Sequence, residues 1–378
     1  MKKLTRLATI TATFCLLVSS QGLAGEKVTI RDVAGREVAL DVPVDKVILG
    51  EGRQIYMVAA LDTEDPFKRV VAWRDDLGQA DPDTYSAYKA KYPFIDDIPT
   101  FGGIKDGTFD VEQAVALDPD VLIMNIESKA ATDDAGLIAK LDQVDIPVIY
   151  VDFREKPMEN TEKSMHIFGK LFGKEDKAEE FIAFRAEQIA VVTDRLAQEK
   201  PEKPVVFIDR AGGYSDDCCM SFGAENFGKM VEIAGGINIA SEIIPGTFGT
   251  VNPEQIIASN PEQIIVTGGN WEHYVPGGNW VGVAPGADLK EARRKLAALM
   301  ERPAFTGVQA AEKRQVHAIW HQFYNSPYQF VAIQQIAKWL HPDLFRDIDP
   351  EATFRSLHER FLPVEYQPGY FTSLSAGE

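Results

Sequence analysis

The chain has 378 residues, of which 45% are hydrophobic and 25% charged, and its formal net charge at pH 7 is −18. This composition is typical of a globular protein, and the length indicates two domains. The acidic charge argues against nucleic acid and anionic membrane surfaces as partners, and no stretch after the N-terminal segment approaches the length of a transmembrane helix.

The first residues have the layout of a secretory signal. Lys2, Lys3 and Arg6 form a basic start, an apolar run follows at residues 7–18, and small and polar residues come next. The run is shorter than the about 20 apolar residues that cross a bilayer. We therefore expect residues 1–24 to be removed and the mature protein to be a soluble, periplasmic monomer.

Short apolar runs then alternate with amphipathic stretches along the chain. "KVTIRDVAGREVAL" predicts an N-terminal β-hairpin around a glycine turn. Runs rich in valine and isoleucine are typical of buried parallel strands, and between them residues 137–144 and 226–234 have helical patterns. The seven runs are "KVILG", "RVVAW", "VLIMN", "VIYVDF", "VVFID", "IIVTG" and "VHAIW".

One long helical segment divides this pattern. Residues 158–200 contain two glycines, Gly169 and Gly173, and no proline, and they keep a helical period with a kink expected near "FGKED". Four predicted strands precede the segment and three follow it. The sequence therefore predicts an α/β protein with two doubly wound lobes, residues 25–157 and 201–378, joined by one long helix, with a ligand cleft between the lobes.

Two stretches nearly repeat each other: "DVEQAVALDPDVLIMN" from Asp110 and "NPEQIIASNPEQIIVTGG" from Asn252. Asp110 and Asn252 are predicted helix N-caps, with Gln113 and Gln255 as their capping-box partners. Each helix is followed by a proline turn and a strand. We therefore expect the two lobes to be built alike.

Basic and aromatic side chains follow several predicted strands, and in an open parallel sheet ligands bind beyond the carboxyl ends of the strands. Arginine forks bind carboxylates and other anionic oxygens, and tryptophan and tyrosine supply flat apolar walls. A single arginine is explained as well by a neighbouring acid, but several at equivalent strand ends predict an anion-binding cleft. The candidate ligand-binding residues are Arg53, Arg74, Arg154, Arg210, Trp73, Trp271, His273, Trp320, His321 and Tyr324.

Cys218 and Cys219 are adjacent and follow a predicted strand. A vicinal disulfide, two free thiols and contact with a soft metal ion are all open, as is a buried pair without a role. We expect the disulfide, because exported thiols tend to oxidise, and we expect it to stiffen a loop at the cleft edge.

Two histidines, His273 and His321, lie near strand ends and are candidates for bonding to the ligand or directly to a metal. A receptor for bare zinc or manganese ions needs three or four converging ligands. Two candidate histidines are too few, so the sequence disfavours this function. Motifs typical of hydrolases, metalloproteases and phosphate-binding loops do not occur. We therefore do not expect an enzyme.

With these motifs the sequence resembles the exported substrate-binding proteins of importers for iron–siderophore complexes, haem and cobalamin. The resemblance covers essentially the whole chain after residue 24. It rests on "VTIRDVAGREVALDVPVDKVI", the two "EQ" repeats, "MVEIAGGINIA" and "VHAIWHQFYNSPY". It implies two α/β lobes on a rigid helix and delivery of the ligand to an inner-membrane permease driven by an ATPase. In this family one glutamate on each lobe docks into the permease, and Glu112 and Glu254 match these positions.

The sequence therefore predicts a receptor for an anionic metal chelate, either a ferric siderophore or a ferric carboxylate complex. Fe³⁺ would belong to the ligand, and the protein would need no cofactor of its own. The alternatives are a molybdate-like oxoanion, haem or a corrinoid in the same fold, and then a bare Zn²⁺ or Mn²⁺ receptor or an exported enzyme. The long segments at residues 62–99 and 271–292 would form lids or decorate the rim.

Overall fold

The computed structural model describes residues 25–374, so the predicted secretory segment lies outside the described residues. The chain begins with an antiparallel hairpin that turns at Gly35, a glycine with φ of 81°. An α/β lobe follows. Its elements are β1 (Glu26–Arg31), β2 (Glu37–Val42), β3 (Val47–Leu49), α1 (Ile55–Leu61), β4 (Val70–Arg74), α2 (Leu77–Ala80), α3 (Pro82–Lys91), β5 (Thr100–Phe101), α4 (Val111–Leu117), β6 (Val121–Asn125), α5 (Lys129–Asp134), α6 (Leu137–Asp142) and β7 (Val148–Val151).

The N-terminal sheet is parallel, with the strand order β5-β4-β3-β6-β7. Every residue of β3, β6 and β7 is buried, as the short runs of valine and isoleucine predict for strands covered on both faces. In the sheet β4 lies on one side of β3 and β6 lies on the other, so the order in which strands are added reverses at β3. A reversal of this kind opens a crevice at the carboxyl end of β3, where ligands bind in such sheets.

Two helices connect the lobes: α7 (Pro157–Phe172) and α8 (Glu175–Glu199). The predicted single helix over residues 158–200 is therefore interrupted at "FGKED", where Gly173 adopts a left-handed φ of 62° and ends α7. The close packing of the two helices explains a second glycine, Gly169. A Cβ there would lie 2.8 Å from the Cβ of Ala178 on α8.

The C-terminal lobe contains a five-stranded sheet and a separate two-stranded ribbon. The order of the larger sheet is β10-β8-β12-β13-β14, parallel except for its last pair, and β9 pairs antiparallel with β11. The elements are β8 (Val205–Asp209), β9 (Met220–Phe222), α9 (Phe227–Ile233), β10 (Ile237–Asn238), β11 (Phe248–Thr250), α10 (Pro253–Ser259), β12 (Gln263–Gly268), α11 (Leu289–Leu299), α12 (Gln309–Glu312), β13 (Val316–Trp320), α13 (Gln329–Leu340), α14 (Pro350–Phe361) and β14 (Phe371–Ser373).

One apolar cluster runs through both lobes and the connecting helices. It includes Leu49 of the first sheet, Phe168 and Phe181 of α7 and α8, and Phe330 and Phe361 of the second lobe. The rings of Phe181 and Phe361 pack edge to face with centroids 5.3 Å apart. A continuous core of this kind opposes large relative motion of the two lobes.

The inserted segment at residues 62–99 also reaches the other lobe. It forms β4, α2 and α3, and Asn270 donates a hydrogen bond to Asp83 on α3 at 3.2 Å. Lys91 donates to the backbone oxygen of Pro363 at 2.6 Å. Within residues 25–374 no helix has both the length and the apolar character that crossing a bilayer requires.

Candidate ligand-binding site

Arg53 lies just beyond the end of β3 and is held by two carboxylates. Its Nε is 2.7 Å from Oδ2 of Asp76, and its Nη2 is 2.6 Å from Oε1 of Glu51. Its Nη1 donates a hydrogen bond of 2.6 Å to the hydroxyl of Tyr324 in the other lobe. Burial acts to lower the pKa of Arg53, but Tyr324 and the two carboxylates raise it well above its usual value.

A glycine places Arg53 at this point. A Cβ on Gly52 would lie 2.3 Å from the carbonyl oxygen of Arg74, a distance that no side chain tolerates. The backbone N–H of Gly52 donates to Oδ1 of Asp76 at 2.5 Å. The turn after β3 therefore packs directly against the end of β4. The neighbouring Asp76 accepts hydrogen bonds from both the Gly52 backbone N–H and the Arg53 guanidinium group.

Glu51 joins the two arginines of the N-terminal lobe and reaches the C-terminal lobe. Its Oε1 lies 2.6 Å from Nη2 of Arg53 and 3.5 Å from Nη1 of Arg154. Asn325 donates to the same oxygen at 2.6 Å, and Asn125 donates to Oε2. Burial acts to raise the pKa of this carboxyl, but the arginines and then the amides lower it to about 2. Glu51 is thus an ionised anchor for the cluster.

Arg154 follows β7 and points toward the same place. Its Nε is 2.8 Å from Oε2 of Glu127, which follows β6. Its guanidinium carbon is 5.1 Å from the ring centre of Tyr324 and 5.9 Å from that of Phe248, within the range of cation–π attraction. Arg154 therefore spans from carboxylates of one lobe to aromatic rings of the other.

Arg210 follows β8 and is the least compensated cation of the cluster. Among the described residues no carboxylate lies within ion-pair distance of it, and its Nε is buried without a hydrogen-bond partner. The guanidinium carbon is 4.7 Å from the ring centre of Phe248 and 5.8 Å from that of Phe222, and Nη1 is 3.7 Å from Sδ of Met220. Burial lowers the pKa of Arg210 and the positive charge of Arg154 adds to the effect, while Tyr324 and the more distant carboxylate of Glu127 oppose it.

Tyr324 contacts two of the arginines directly and the third through aromatic rings. Its hydroxyl accepts from Arg53, and its ring lies beneath Arg154. It also packs edge to face against Phe222 and Phe248, the two rings that Arg210 contacts, with centroids 6.4 and 6.2 Å apart. It follows β13 in the C-terminal lobe, whereas Arg53 and Arg154 belong to the N-terminal lobe. The structure thus brings Arg53, Arg154, Arg210 and Tyr324 together between the two lobes.

His321 is buried beside this cluster, and its Nδ1 faces Thr267. Oγ1 of Thr267 accepts the backbone N–H of Ala211 at 2.9 Å and lies 2.8 Å from Nδ1 of His321. The contact with Thr267 occupies Nδ1 and leaves Nε2 as the other ring nitrogen. Burial and then the nearby arginines lower the pKa of His321 well below 6.5, so the ring is neutral.

An aromatic wall continues from His321 to the surface. The ring of Trp271 packs edge to face against His321 with centroids 5.2 Å apart and against Tyr214 at 5.9 Å. Tyr214 contacts Tyr274, and His273 packs on Tyr274 at 5.1 Å. Trp271 is buried, whereas His273 is exposed at the outer end. The indole N–H of Trp271 is buried and has no acceptor among the described residues.

Three predicted ligand-binding residues do not join the cluster. Trp73 is buried against Phe67, with ring centroids 5.5 Å apart, because it lies inside β4 and faces the core. Trp320 is the last residue of β13, and it packs against Tyr370 in the same apolar core. Arg74 also belongs to β4 and forms a half-exposed ion pair of 3.3 Å with Asp106. These residues are strand positions, whereas the cluster is built from the loops that follow strands.

The sulfurs of Cys218 and Cys219 are joined as a vicinal disulfide. Cys219 is buried in the core of the C-terminal lobe, and the pair directly precedes β9. Met220, the next residue, accepts the backbone N–H of Arg210 at 2.9 Å. The backbone hydrogen bond from Arg210 to Met220 therefore closes the loop that carries Tyr214, and the disulfide lies at the end of this loop.

The two repeats form matched short helices on the surfaces of the two lobes. Asp110 caps α4 by accepting the N–H of Glu112 at 2.9 Å, and Asn252 caps α10 by accepting that of Glu254 at 2.9 Å. Both glutamates are exposed, and neither has an ion-pair partner among the described residues. The predicted capping box is complete for Asn252.

The capping box predicted at Asp110 is wrong in one respect. Gln113 does not return to the N-cap; its side chain donates to the backbone oxygen of Thr100 at 3.2 Å instead. The helix is therefore capped by the aspartate alone and is also tied to the adjacent edge strand β5. Asp110 still accepts two backbone N–H groups, those of Glu112 and Gln113.

Several residues of the site were not predicted as ligand-binding residues. They include the carboxylates that pair with the arginines and the aromatic rings that cover them. Glu51 and Glu127 follow predicted strands and were open to the same reasoning, but Phe248 lies in a ribbon that the sequence does not reveal. The residues are Glu51, Asp76, Glu127, Tyr214, Phe222, Phe248 and Tyr274.

Metal-binding geometry is not evident in the part of the chain that the structure describes. Residues 25–374 contain no group of three or more His, Cys, Asp or Glu side chains that could hold a metal ion. His273 and His321 lie at opposite ends of the aromatic wall. What the site offers is cationic groups and neutral donors, which suit the oxygens of an anion.

The fold and this interlobe site define a solute-binding protein, not an enzyme. A model of the periplasmic binding protein family matches residues 59–321, and the chain belongs to this family. Its members are periplasmic and deliver their ligands to the permease of an ABC transporter. The predicted fold class and the resemblance stated above are thereby confirmed.

Three comparisons illustrate the similarity. The TroA-like periplasmic binding protein FepB from Veillonella parvula superposes with a TM-score of 0.82 at 29% sequence identity, covering 92% of this chain and all of its own. The molybdate-binding protein MolA from Haemophilus influenzae is 21% identical over 374 residues, which are 94% of this chain and 96% of MolA. The structure of MolA bound to molybdate gives a TM-score of 0.68 at 17% identity, covering 90% of this chain and 99% of that one.

Proposed function

We propose that this protein captures an anionic metal chelate, a ferric siderophore or ferric carboxylate complex, and delivers it to an inner-membrane ABC permease. The observation that carries the proposal is the cluster of Arg53, Arg154 and Arg210 around the packed rings of Tyr324 and Phe248 between the two lobes. In a chain with a net charge of −18, such a concentration of cations marks a site for a negatively charged ligand.

Arg210 is the main ligand-binding cation in this proposal. Arg53 and Arg154 already bind Glu51, Asp76 and Glu127, whereas Arg210 has no carboxylate partner among the described residues. A buried cation without a counterion gains most from an incoming anion, because the ligand replaces the hydration that burial removed. The paired arginines then form the rigid, oriented part of the site.

His321 and the aromatic wall would complete the ligand contacts. In this proposal Thr267 donates to Nδ1, so His321 carries its proton on Nε2, donates a hydrogen bond to a ligand oxygen and does not bind the metal through that nitrogen. Tyr324, Trp271 and Tyr274 would pack against the organic part of the chelate. His273, exposed at the end of the wall, remains a candidate for a contact at the rim.

Glu112 and Glu254 would dock the protein onto the permease. They are exposed, unpaired and equivalent in the two lobes, as two-point contact with a two-fold symmetric partner requires. The helix dipole favours a first-turn carboxylate by only about 0.3–1 kcal/mol, so the dipole explains each glutamate separately but not the matched pair. Charge reversal at both is expected to abolish uptake and to leave ligand binding intact.

A molybdate-like oxoanion is the second candidate ligand. It is favoured by the similarity to MolA over 94% of this chain and by a cluster of guanidinium groups in a described region, residues 25–374, without a metal-holding group of side chains. Haem and corrinoids are further alternatives in the same fold. The aromatic wall from His321 to Tyr274 favours the chelate, because an oxoanion has no apolar part to cover.

The ligand class is tested by titrating the purified protein with ferric siderophores, ferric citrate, molybdate, haem, cobalamin and free Zn²⁺ while tryptophan fluorescence is recorded. The proposal expects saturable quenching by a ferric chelate, lost in Arg210→Gln and kept in the control Arg294→Gln, which alters a surface arginine paired with Glu291. A response to molybdate alone would establish the second candidate, and a response to free Zn²⁺ alone would contradict both.

A further inference from the structure

The helices α4 and α10 carry a second matched pair of residues beside their glutamates. Val115 lies three residues after Glu112, and Ile257 lies three residues after Glu254. Residues three apart on a helix are neighbours on the same face. Val115 is 44% exposed and Ile257 is 45% exposed, so each lobe presents a carboxylate and an apolar side chain together.

The two helices present these side chains in the same way. Each ends at a residue with left-handed backbone, Asp118 with φ of 47° and Asn260 with φ of 42°, before a proline turn into a sheet strand. Ala114, which precedes Val115, and Ile256, which precedes Ile257, are fully buried. The short helices therefore use one apolar position to pack onto their lobe and leave the next one in solvent.

The pairing of an exposed apolar residue with an exposed glutamate is informative because it occurs on both helices. A single exposed valine or isoleucine is normal on a protein surface. Here exposed apolar residues occupy equivalent positions of the sequence repeat, each next to an exposed glutamate without an ion-pair partner among the described residues. Interfaces commonly place an apolar contact beside a charged one, so that the apolar contact excludes water from the ion pair.

We propose that Val115 and Ile257 are the apolar half of a two-point docking surface that they form with Glu112 and Glu254. The partner that binds this surface is the membrane-embedded permease. In this proposal the permease is two-fold symmetric and has two equivalent sites, each with a basic group beside an apolar recess. This inference rests on the proposed function. The two patches lie on different lobes and have the same composition, which matches a partner built from two equivalent subunits.

The experiment uses the full-length mature protein and its cognate permease–ATPase complex in liposomes. ATPase stimulation is measured against the concentration of the binding protein for wild type, Val115→Ser/Ile257→Ser and Glu112→Lys/Glu254→Lys. The matched control, Val144→Ser/Val191→Ser, removes two other exposed valines, 40% and 36% exposed, that lie on neither docking helix. Thermal unfolding of every variant verifies that each is folded.

The docking surface predicts that Val115→Ser/Ile257→Ser raises the half-saturating concentration at least tenfold, while the control variant behaves like wild type. A wild-type response from Val115→Ser/Ile257→Ser, with stimulation lost in Glu112→Lys/Glu254→Lys, overturns this inference and leaves the proposed function standing. Stimulation that survives the charge reversal refutes the docking part of the proposed function and this inference with it. Sedimentation of the protein alone tests the other occupant: a dimer that Val115→Ser/Ile257→Ser dissociates would contradict the permease as partner.

Discussion

Arg53 of the N-terminal lobe and Tyr324 of the C-terminal lobe are joined by a hydrogen bond of 2.6 Å between Nη1 and the hydroxyl oxygen. The bond links the end of β3 to the segment that follows β13. The same arginine is fixed on its own lobe by Glu51 and Asp76. The contact therefore combines two roles, since it holds the lobes together and orients a ligand-binding cation.

Tyr324→Phe removes this hydrogen bond and keeps the ring. Because the donor is charged and buried, the free energy of unfolding is expected to fall by about 1.5–3 kcal/mol. Urea denaturation measures the change. Tyr366→Phe is the matched control, because the buried Tyr366 hydroxyl has no hydrogen-bond partner among the described residues, and it should be nearly neutral. Equal effects of the two substitutions would show that the Arg53–Tyr324 bond contributes nothing specific.

Arg53→Gln and Arg210→Gln are expected to differ in stability. The first leaves the buried carboxylates of Glu51 and Asp76 without their counterion, which costs about 3–5 kcal/mol. The second removes a cation that has no carboxylate partner among the described residues, so the free energy of unfolding should stay unchanged or rise. Both variants should bind the ligand more weakly. Chemical denaturation that found Arg210→Gln as destabilised as Arg53→Gln would contradict this assignment.

Asp209, the buried residue before Arg210, is expected to make stability fall as the pH rises. Burial raises its pKa from 3.8 to about 7, only partly opposed by Arg302. A carboxyl with a raised folded-state pKa contributes stability that is complete below the unfolded pKa of 3.8 and is lost as the pH rises toward 7. Relative to wild type, Asp209→Asn should gain about 2.5 kcal/mol between pH 5 and pH 8. Denaturation at both pH values measures this, and a constant difference would refute it.

His321 is expected to be neutral at pH 7, with its proton on Nε2 as proposed for the ligand contact. Burial and the neighbouring arginines lower its pKa, and Thr267 occupies Nδ1. Long-range ¹H–¹⁵N correlation spectra distinguish the two neutral tautomers and the charged form. Thr267→Val should release the ring to populate both tautomers. Titration of His321 near pH 6.5, or a proton on Nδ1 in the wild-type protein, would contradict the role of a hydrogen-bond donor.

Much of the fold follows from local pattern. The seven predicted runs all form strands of the two main sheets, because buried parallel strands need continuous apolar sequence. The edge strands β5 and β10 could not be predicted, since each has two residues and is defined only by its neighbour. The interruption of the connecting helices at Gly173 coincides with the predicted kink, but its extent depends on how α7 and α8 pack.

The site was predictable only in part. Arg53, Arg154, Arg210 and Tyr324 all follow strands, and the topology of parallel sheets brings such positions together. Trp73 and Trp320 were expected to follow their strands, but both lie within the strands and face the core. Only the residues after the end of a strand leave the sheet. The pairing of Glu51 with Arg154, 103 residues away, is a tertiary contact that no local pattern encodes.

The most direct test is the location of the metal in a crystal of the complex, found by anomalous scattering at the iron edge. The account predicts a single iron position between the lobes, with ligand oxygens within hydrogen-bond distance of the Arg210 guanidinium group. An iron position away from Arg53, Arg154, Arg210 and Tyr324 would contradict it.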